Sequence, residues 1–263
     1  MKKIIQSNRP LNGQLLDTIK AAFNSSIDFT QYPFCLDVVQ NLKEIKFTTP
    51  VTFFVGENGT GKSTILEAIA YHAGFGIEGG SKNINFKTAS EKHYSSAEQL
   101  ADCLTLSWNR KSEDGYFFRA ETFYNVANHL DHIALFGGGG DKTYAPYGGK
   151  SLHEQSHGES FLSFFKNRLG KGGFFVLDEP EAALSPQRQL SLMVIINQLC
   201  KQSSAQFIIA THSPLLLAYP GAVIYSCDNG KLDTKSYKDT DHYQITKSFL
   251  DNTDYFLHHL FND

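Results

Sequence analysis

The stretch Gly56-Glu57-Asn58-Gly59-Thr60-Gly61-Lys62-Ser63 restricts this chain more than any other. It matches G-x-x-x-x-G-K-[ST], in which the glycines let the backbone turn its N–H groups inward onto phosphate oxygens. Lys62 is placed to reach the β- and γ-phosphates, and the Ser63 hydroxyl to ligate Mg²⁺. Such a loop needs a strand before it and a helix after it, and both are legible. Val51 to Val55 is a short apolar run suited to a buried strand. From Thr64 to Ala73, residues Ile65, Ile69 and Ala73 share one helical face with Leu66 beside it, and Gly74 stands where a C-cap belongs. The positive end of that helix dipole faces the anion. Binding of ATP or GTP across Gly56 to Thr64 follows, and these residues do not choose the base.

Two further apolar runs end in polar groups that suit the same chemistry. Phe174-Phe175-Val176-Leu177-Asp178-Glu179-Pro180 has the form of a Walker B strand. Asp178 at its end is expected to hold Mg²⁺, directly or through water, and Glu179 to position or deprotonate the attacking water. Phe207 to Ala210 is a third strand, followed by Thr211-His212-Ser213, where His212 can bond the γ-phosphate and register its loss. Ser185-Pro186 and Ser213-Pro214 each open a helix as N-cap and first-turn proline, the first helix carrying Leu190, Val194 and Leu199 inward. Ala222 to Cys227 and Leu232 to Tyr237 flank Asp228-Asn229-Gly230 as a hairpin. An amphipathic helix then runs from Asp241 to Leu250, with Gln244 placed for a capping box. Strands alternating with helices predict an α/β fold with a mostly parallel sheet covered on both faces. The region from about 75 to 170 parses poorly and reads as a helical or irregular lobe inserted in a single domain. Within it, the glycine run 137–140 reads as a mobile surface loop, because consecutive glycines are entropically costly inside an element.

Composition narrows the function classes. Of 263 residues, 41% are apolar and 19% charged, and the net charge is −3. That balance shows no basic excess of the kind that holds a protein on DNA phosphates, so the charge gives nucleic-acid binding no support. The cysteines, Cys35, Cys103, Cys200 and Cys227, have no metal-ligand spacing and read as reduced thiols. No apolar run approaches the roughly 18 residues of a spanning helix, and Met1-Lys2-Lys3-Ile4-Ile5 leads into polar residues. A cytoplasmic protein without a membrane segment is the expectation.

The order of these motifs resembles that of the ABC-type ATPases, in particular their soluble SMC- and RecF-like branch, and the small bacterial ATPases of the AAA label. The likeness runs from about residue 33 to 250 and includes Tyr116-Phe117-Phe118-Arg119-Ala120-Glu121 and Ser151 to Ser160. Ser156-His157-Gly158-Glu159 resembles the family's signature motif, with His157 in place of a glycine and Gln155 in place of the usual leucine. The resemblance implies a P-loop NTPase fold whose helical lobe carries the signature. It implies ATP as the nucleotide, Mg²⁺ as cofactor, and an ATP-dependent homodimer or hetero-oligomer in which Ser156 to Glu159 contact the γ-phosphate on the other subunit. Glu181-Ala182-Ala183-Leu184-Ser185-Pro186 occupies the D-loop position and is similar to soluble members in having Ser185 where transporters have aspartate. Arg119 and Glu121 are candidates for the Q-loop position, and Tyr32 and Phe34 for stacking on adenine.

The motifs leave three activities in competition. One is Mg²⁺-dependent hydrolysis of ATP in composite sites. Another is a nucleotide-gated clamp on a protein or DNA partner, which also needs Glu179 and would show weak basal turnover. A kinase is disfavoured, because it needs neither a signature nor His212 and carries lid arginines.

Overall fold

A computed structural model of the chain describes residues 14–77, 79–82, 95–136, 140–147, 149, 151, 165–166 and 172–262. Its centre is a sheet built from Val51–Val55 (β3), Gly115–Arg119 (β5), Phe174–Asp178 (β6), Gln206–Ala210 (β7), Val223–Ser226 (β8) and Asp233–Thr234 (β9), in the order β5-β6-β7-β3-β8-β9. All neighbours run parallel except the edge pair β8 and β9. The expectation of a mostly parallel α/β sheet is met. A second, antiparallel sheet pairs Leu16–Ala21 (β1) with Glu44–Lys46 (β2) and with Leu104–Trp108 (β4).

The period of two along the buried strands sorts their side chains into two cores. Val51, Phe53 and Val55 with Phe175, Leu177, Phe207 and Ile209 face helix Pro186–Ser203 (α5). Phe54, Phe117, Phe174, Val176 and Ile208 face helix Lys62–His72 (α2) and the antiparallel sheet, together with short helices Asp37–Gln40 (α1) and Ser96–Ala101 (α3). By the same alternation Arg119 follows Phe117, and Asp178 follows Val176, onto the α2 side. Gln206 fastens the two sheets: its buried Oε1 accepts from the backbone N–H groups of Leu15 and Leu16 at 2.8 and 2.7 Å, and its Nε2 donates to Leu16 O at 2.9 Å. A buried amide whose oxygen and nitrogen both find backbone partners fixes position, and those bonds offset its desolvation.

Several local expectations change. In α5 the stripe Leu192, Ile195, Ile196 and Leu199 is buried, whereas Leu190 and Val194 are 50% and 56% exposed. Positions 190 and 194 lie on the opposite face from 192 at helical pitch, so only Leu199 of the expected inward set packs inward. Ser185 stands at the N-cap of α5 without a side-chain cap bond, while Ser213 Oγ accepts from the N–H groups of Leu215 and Leu216 to cap Pro214–Leu217 (α6). Thr240 caps Asp241–Asp251 (α7), accepting from Tyr243 N–H, and Gln244 Nε2 donates to Lys238 O rather than closing a capping box. The hairpin after β8 exists but is short, with a 3₁₀ turn at Asp228–Gly230. Of the glycine run, 137–139 lie outside the described residues; helix Phe123–Phe136 (α4) precedes it and a 3₁₀ segment, Gly140–Tyr147, follows. The chain closes with helix Thr253–Asn262 (α8). Among the described residues no helix is long and apolar enough to cross a membrane, and all four cysteines are free.

Candidate nucleotide and catalytic site

Strand register sets the site. Arg119 pairs with Asp178, Asp178 with Ala210, Ala210 with Phe54 and Val55 with Ser226, so the carboxyl ends of the parallel strands stand level. The crevice beyond such ends is where open parallel sheets bind ligands. The loop after β3 turns there. Thr60 Oγ1 donates to Glu57 O at 2.8 Å, and Gly61 takes φ of 93°, a left-handed conformation suited to glycine. A Cβ on Gly61 would lie 2.7 Å from Val38 Cγ1, so the loop also needs glycine for its approach to α1. The helix begins at Lys62, earlier than its apolar pattern announces, because Gly61 is its N-cap. Its first-turn N–H groups therefore open into the loop.

Lys62 Nζ donates to Gly56 O and Glu57 O, each at 2.8 Å, across the inside of the loop. Burial lowers its pKa, opposed by neighbouring Cys227, Glu179 and Asp178. Ser63 Oγ donates to Asp178 Oδ1 at 3.1 Å, joining α2 to the end of β6. Asp178 is 6% exposed, and burial pushes its carboxyl up to about 6 despite the opposing Arg119 guanidinium and Ser63 hydroxyl. A buried carboxylate held against a hydroxyl is a hard oxygen pair of the kind that suits a small divalent cation. The residues present therefore fit Mg²⁺. A cleft of about 150 Å³ is lined by Asn58, Gly59, Lys62, Ser63, Glu179 and Tyr32. A larger one of about 520 Å³ lies at the other end of α2, beside Tyr71, Phe75 and Leu104, away from these groups.

Glu179 enters this cleft from a constrained backbone. Its φ of 50° is left-handed, rare for a residue with a Cβ, and its N–H donates to Ala210 O at 3.0 Å. His212, just beyond β7, brings Nε2 to 3.4 Å from Glu179 Oε1, and its backbone N–H donates to Glu181 Oε1 at 2.6 Å. The sequence-derived residues from Gly56 to Thr64, with Asp178, Glu179 and His212, thus gather at the carboxyl end of the central strands.

Two AAA domain models match the sequence, one over residues 29–151 and a second over 161–218, whose description adds the AbiEii toxin of a type IV TA system. The structure is similar to a protein described as a metal-chelate type ABC transporter in an inward-facing conformation, at 13% identity and a TM-score of 0.50, over 89% of this chain and 88% of that one. The fold is that of an ABC-type P-loop ATPase. Other similar structures are the SMC head domain from Thermotoga maritima, at 17% identity and a TM-score of 0.41 over 84% and 98% of the two chains, and cbiO1 from Clostridium perfringens, at 16% and 0.47 over 95% and 99%. No curated protein matches the sequence significantly.

This P-loop domain brings in residues that its motifs do not announce. Arg119 NH1 lies 2.9 Å from Glu67 Oε1 and its Nε 3.8 Å from Asp178 Oδ2, with the Arg119 side chain 16% exposed. Glu67 is four residues after Ser63 and so on the same face of α2, a spacing that could have flagged it. Arg119, one of the two Q-loop candidates, braces the strand end carrying Asp178; Glu121, the other, contacts it at 3.4 Å from a side chain that is 81% exposed. Tyr32 stands at the loop, its hydroxyl 2.8 Å from Thr64 Oγ1, whereas Phe34 is buried in an edge-on cluster with Phe23 and Phe29. Of the two adenine-stacking candidates, only Tyr32 lines the cleft. His242 in α7 meets His212, and no motif marks it. Ser156, His157, Gly158 and Glu159 lie outside the described residues.

Proposed function

We propose that the chain binds ATP with Mg²⁺ and hydrolyses it to ADP and phosphate, in composite sites formed when two ATP-bound subunits close on each other. The observation that carries the reading is the 3.1 Å contact of Ser63 Oγ with Asp178 Oδ1, beside a cleft that Lys62 and Glu179 both line. Backbone N–H groups of the loop and the start of α2 receive the phosphates, and Lys62 exchanges part of its bonding to Gly56 O and Glu57 O for the β- and γ-oxygens. Ser63 and Asp178 would hold Mg²⁺, which when bound neutralises charge on the β- and γ-phosphate oxygens. Tyr32 stands at the mouth, where an adenine ring can stack on it. Glu179 orients the attacking water and accepts its proton, and His212 donates from Nε2 toward the γ-phosphate. Ser156 to Glu159 of a second copy complete the site, which ties turnover to closure of the dimer.

Phosphate release from purified protein tests the proposal. Wild type should turn over ATP with Mg²⁺ and stop with a chelator, and Glu179→Gln should lose at least about a hundredfold in rate, a general-base contribution, while still binding ATP. Equal rates for wild type and Glu179→Gln would contradict it. Specific activity should also rise with protein concentration; a constant value down to nanomolar protein would argue against shared sites.

A further inference from the structure

The two ring nitrogens of His212 meet different partners. Nε2 lies 3.4 Å from Glu179 Oε1, sealed from solvent and without an aligned hydrogen bond. Nδ1 lies 3.0 Å from Nε2 of His242, with the ring centroids 5.1 Å apart and the planes inclined by 50°. A neutral imidazole has one N–H and one lone pair, so two such rings facing nitrogen to nitrogen share a single proton between them. Were the proton of His212 on Nδ1, a lone pair on Nε2 would face the Glu179 carboxylate, acceptor against acceptor, and could donate to no phosphate. With the proton on Nε2, Nδ1 accepts from His242 Nε2–H, and the nitrogen near the Glu179 carboxylate carries a hydrogen in place of a repelling lone pair.

The surroundings keep His242 able to do this. Thr240, buried and capping α7, fixes the turn that carries it, and Tyr237 packs on Tyr243 with centroids 4.7 Å apart. Burial and the facing His212 hold the imidazole below its ordinary pKa, with Lys62 adding to this and Asp228 and Asp241 opposing it. The positive end of the α7 dipole acts in the same sense and favours the neutral ring.

We infer that His242 is a positioning residue for the catalytic centre, holding His212 in the form that carries its proton on Nε2, the nitrogen beside Glu179. The inference rests on the proposed roles of Glu179 and His212. It makes α7, a helix outside the motif order, part of the machinery: a displacement of α7 releases the tautomer of His212 and with it the orientation of Nε2–H. Glutamine can replace the contact, because its terminal amide nitrogen reaches nearly as far as imidazole Nε2 and can donate to Nδ1. Leucine cannot.

The test compares the full-length wild type with His242→Gln and His242→Leu by two readouts. In ¹⁵N-histidine-labelled protein, long-range nitrogen–proton spectra should show His212 as the Nε2–H form in wild type and His242→Gln, and as a mixture of forms in His242→Leu. For ATP, His242→Leu should lose about tenfold in kcat, the worth of one hydrogen bond, with KM changed less than about twofold, and His242→Gln should recover most of the loss. Wild-type kcat and an unchanged His212 form in His242→Leu would overturn the inference, as would a His242→Gln that folds yet falls as far as leucine. Should wild type itself release no phosphate, the catalytic reading fails, while the nitrogen spectra still decide whether His242 sets the tautomer. If His242→Leu does not fold, His242→Gln against His242→Asn, whose shorter amide cannot reach Nδ1, decides by the same spectra.

Discussion

Ser63 Oγ donates to Asp178 Oδ1 across 3.1 Å, and this contact ties α2, the helix after the glycine-rich loop, to the end of β6. Asp178 has its carboxyl pushed up to about 6 from an ordinary 3.8, chiefly by burial. In the unfolded chain that group ionises near its ordinary value. Between the two values the folded state keeps a proton that the unfolded state has lost, so raising the pH through about 4 to 6 costs stability. Without nucleotide and Mg²⁺, Asp178→Asn should therefore melt above wild type at pH 8, by up to about 3 kcal/mol, with the gap closing as the pH falls toward 4. Thermal melts at stepped pH check this, and Mg²⁺-ATP should reverse the order by stabilising wild type alone.

Lys62 is buried among backbone carbonyls, and removing it takes away a charged donor without opening an apolar core. Lys62→Ala should weaken ATP binding at least tenfold, the worth of one charged hydrogen bond, while the melting temperature without nucleotide shifts little. Titration calorimetry measures the first and a melt the second.

Arg119 bridges Glu67 on α2 and Asp178 on β6 from a side chain largely removed from water. Arg119→Met deprives both carboxylates of that cation in a low-dielectric place. A loss of about 3 kcal/mol in urea unfolding is expected, and Arg119→Met with Glu67→Gln should recover part of it, because one of the two buried charges is then gone.

Much of the central sheet was legible because its strands, buried on both faces, read as apolar runs, and because the chemistry of β3, β6 and β7 sits at their carboxyl ends. The antiparallel sheet was not. In β1 a register shift between Leu16 and Thr18 turns Leu16 and Ile19 to the same core, so the strand shows no clean alternation. The face of α5 was misread because Leu190 and Val194 form a helical pair of their own on the outer side, and periodicity alone does not say which pair faces the sheet. Arg119 and His242 act through partners distant in sequence, Glu67, Asp178 and His212, which no local pattern records. The contact of Ser63 with Asp178 could be foreseen, since each lies in a motif whose position in a strand–loop–helix unit is fixed.

Glu179 holds a left-handed φ of 50° although it has a Cβ. Side chains other than glycine pay about 1 kcal/mol or more there. Of two variants that both lack the carboxylate, Glu179→Gly should thus be more stable than Glu179→Ala by about 1 kcal/mol, the reverse of their order in a helix, and both should be inactive. Paired denaturant titrations decide it.

Closure of two ATP-bound subunits over shared sites is tested most directly by the solution mass of Glu179→Gln. Light scattering after size exclusion, with and without Mg²⁺-ATP, should show a monomer become a dimer, and adding Ser156→Arg should abolish the shift. A variant that binds ATP yet stays monomeric at every protein concentration would contradict the shared site for this chain.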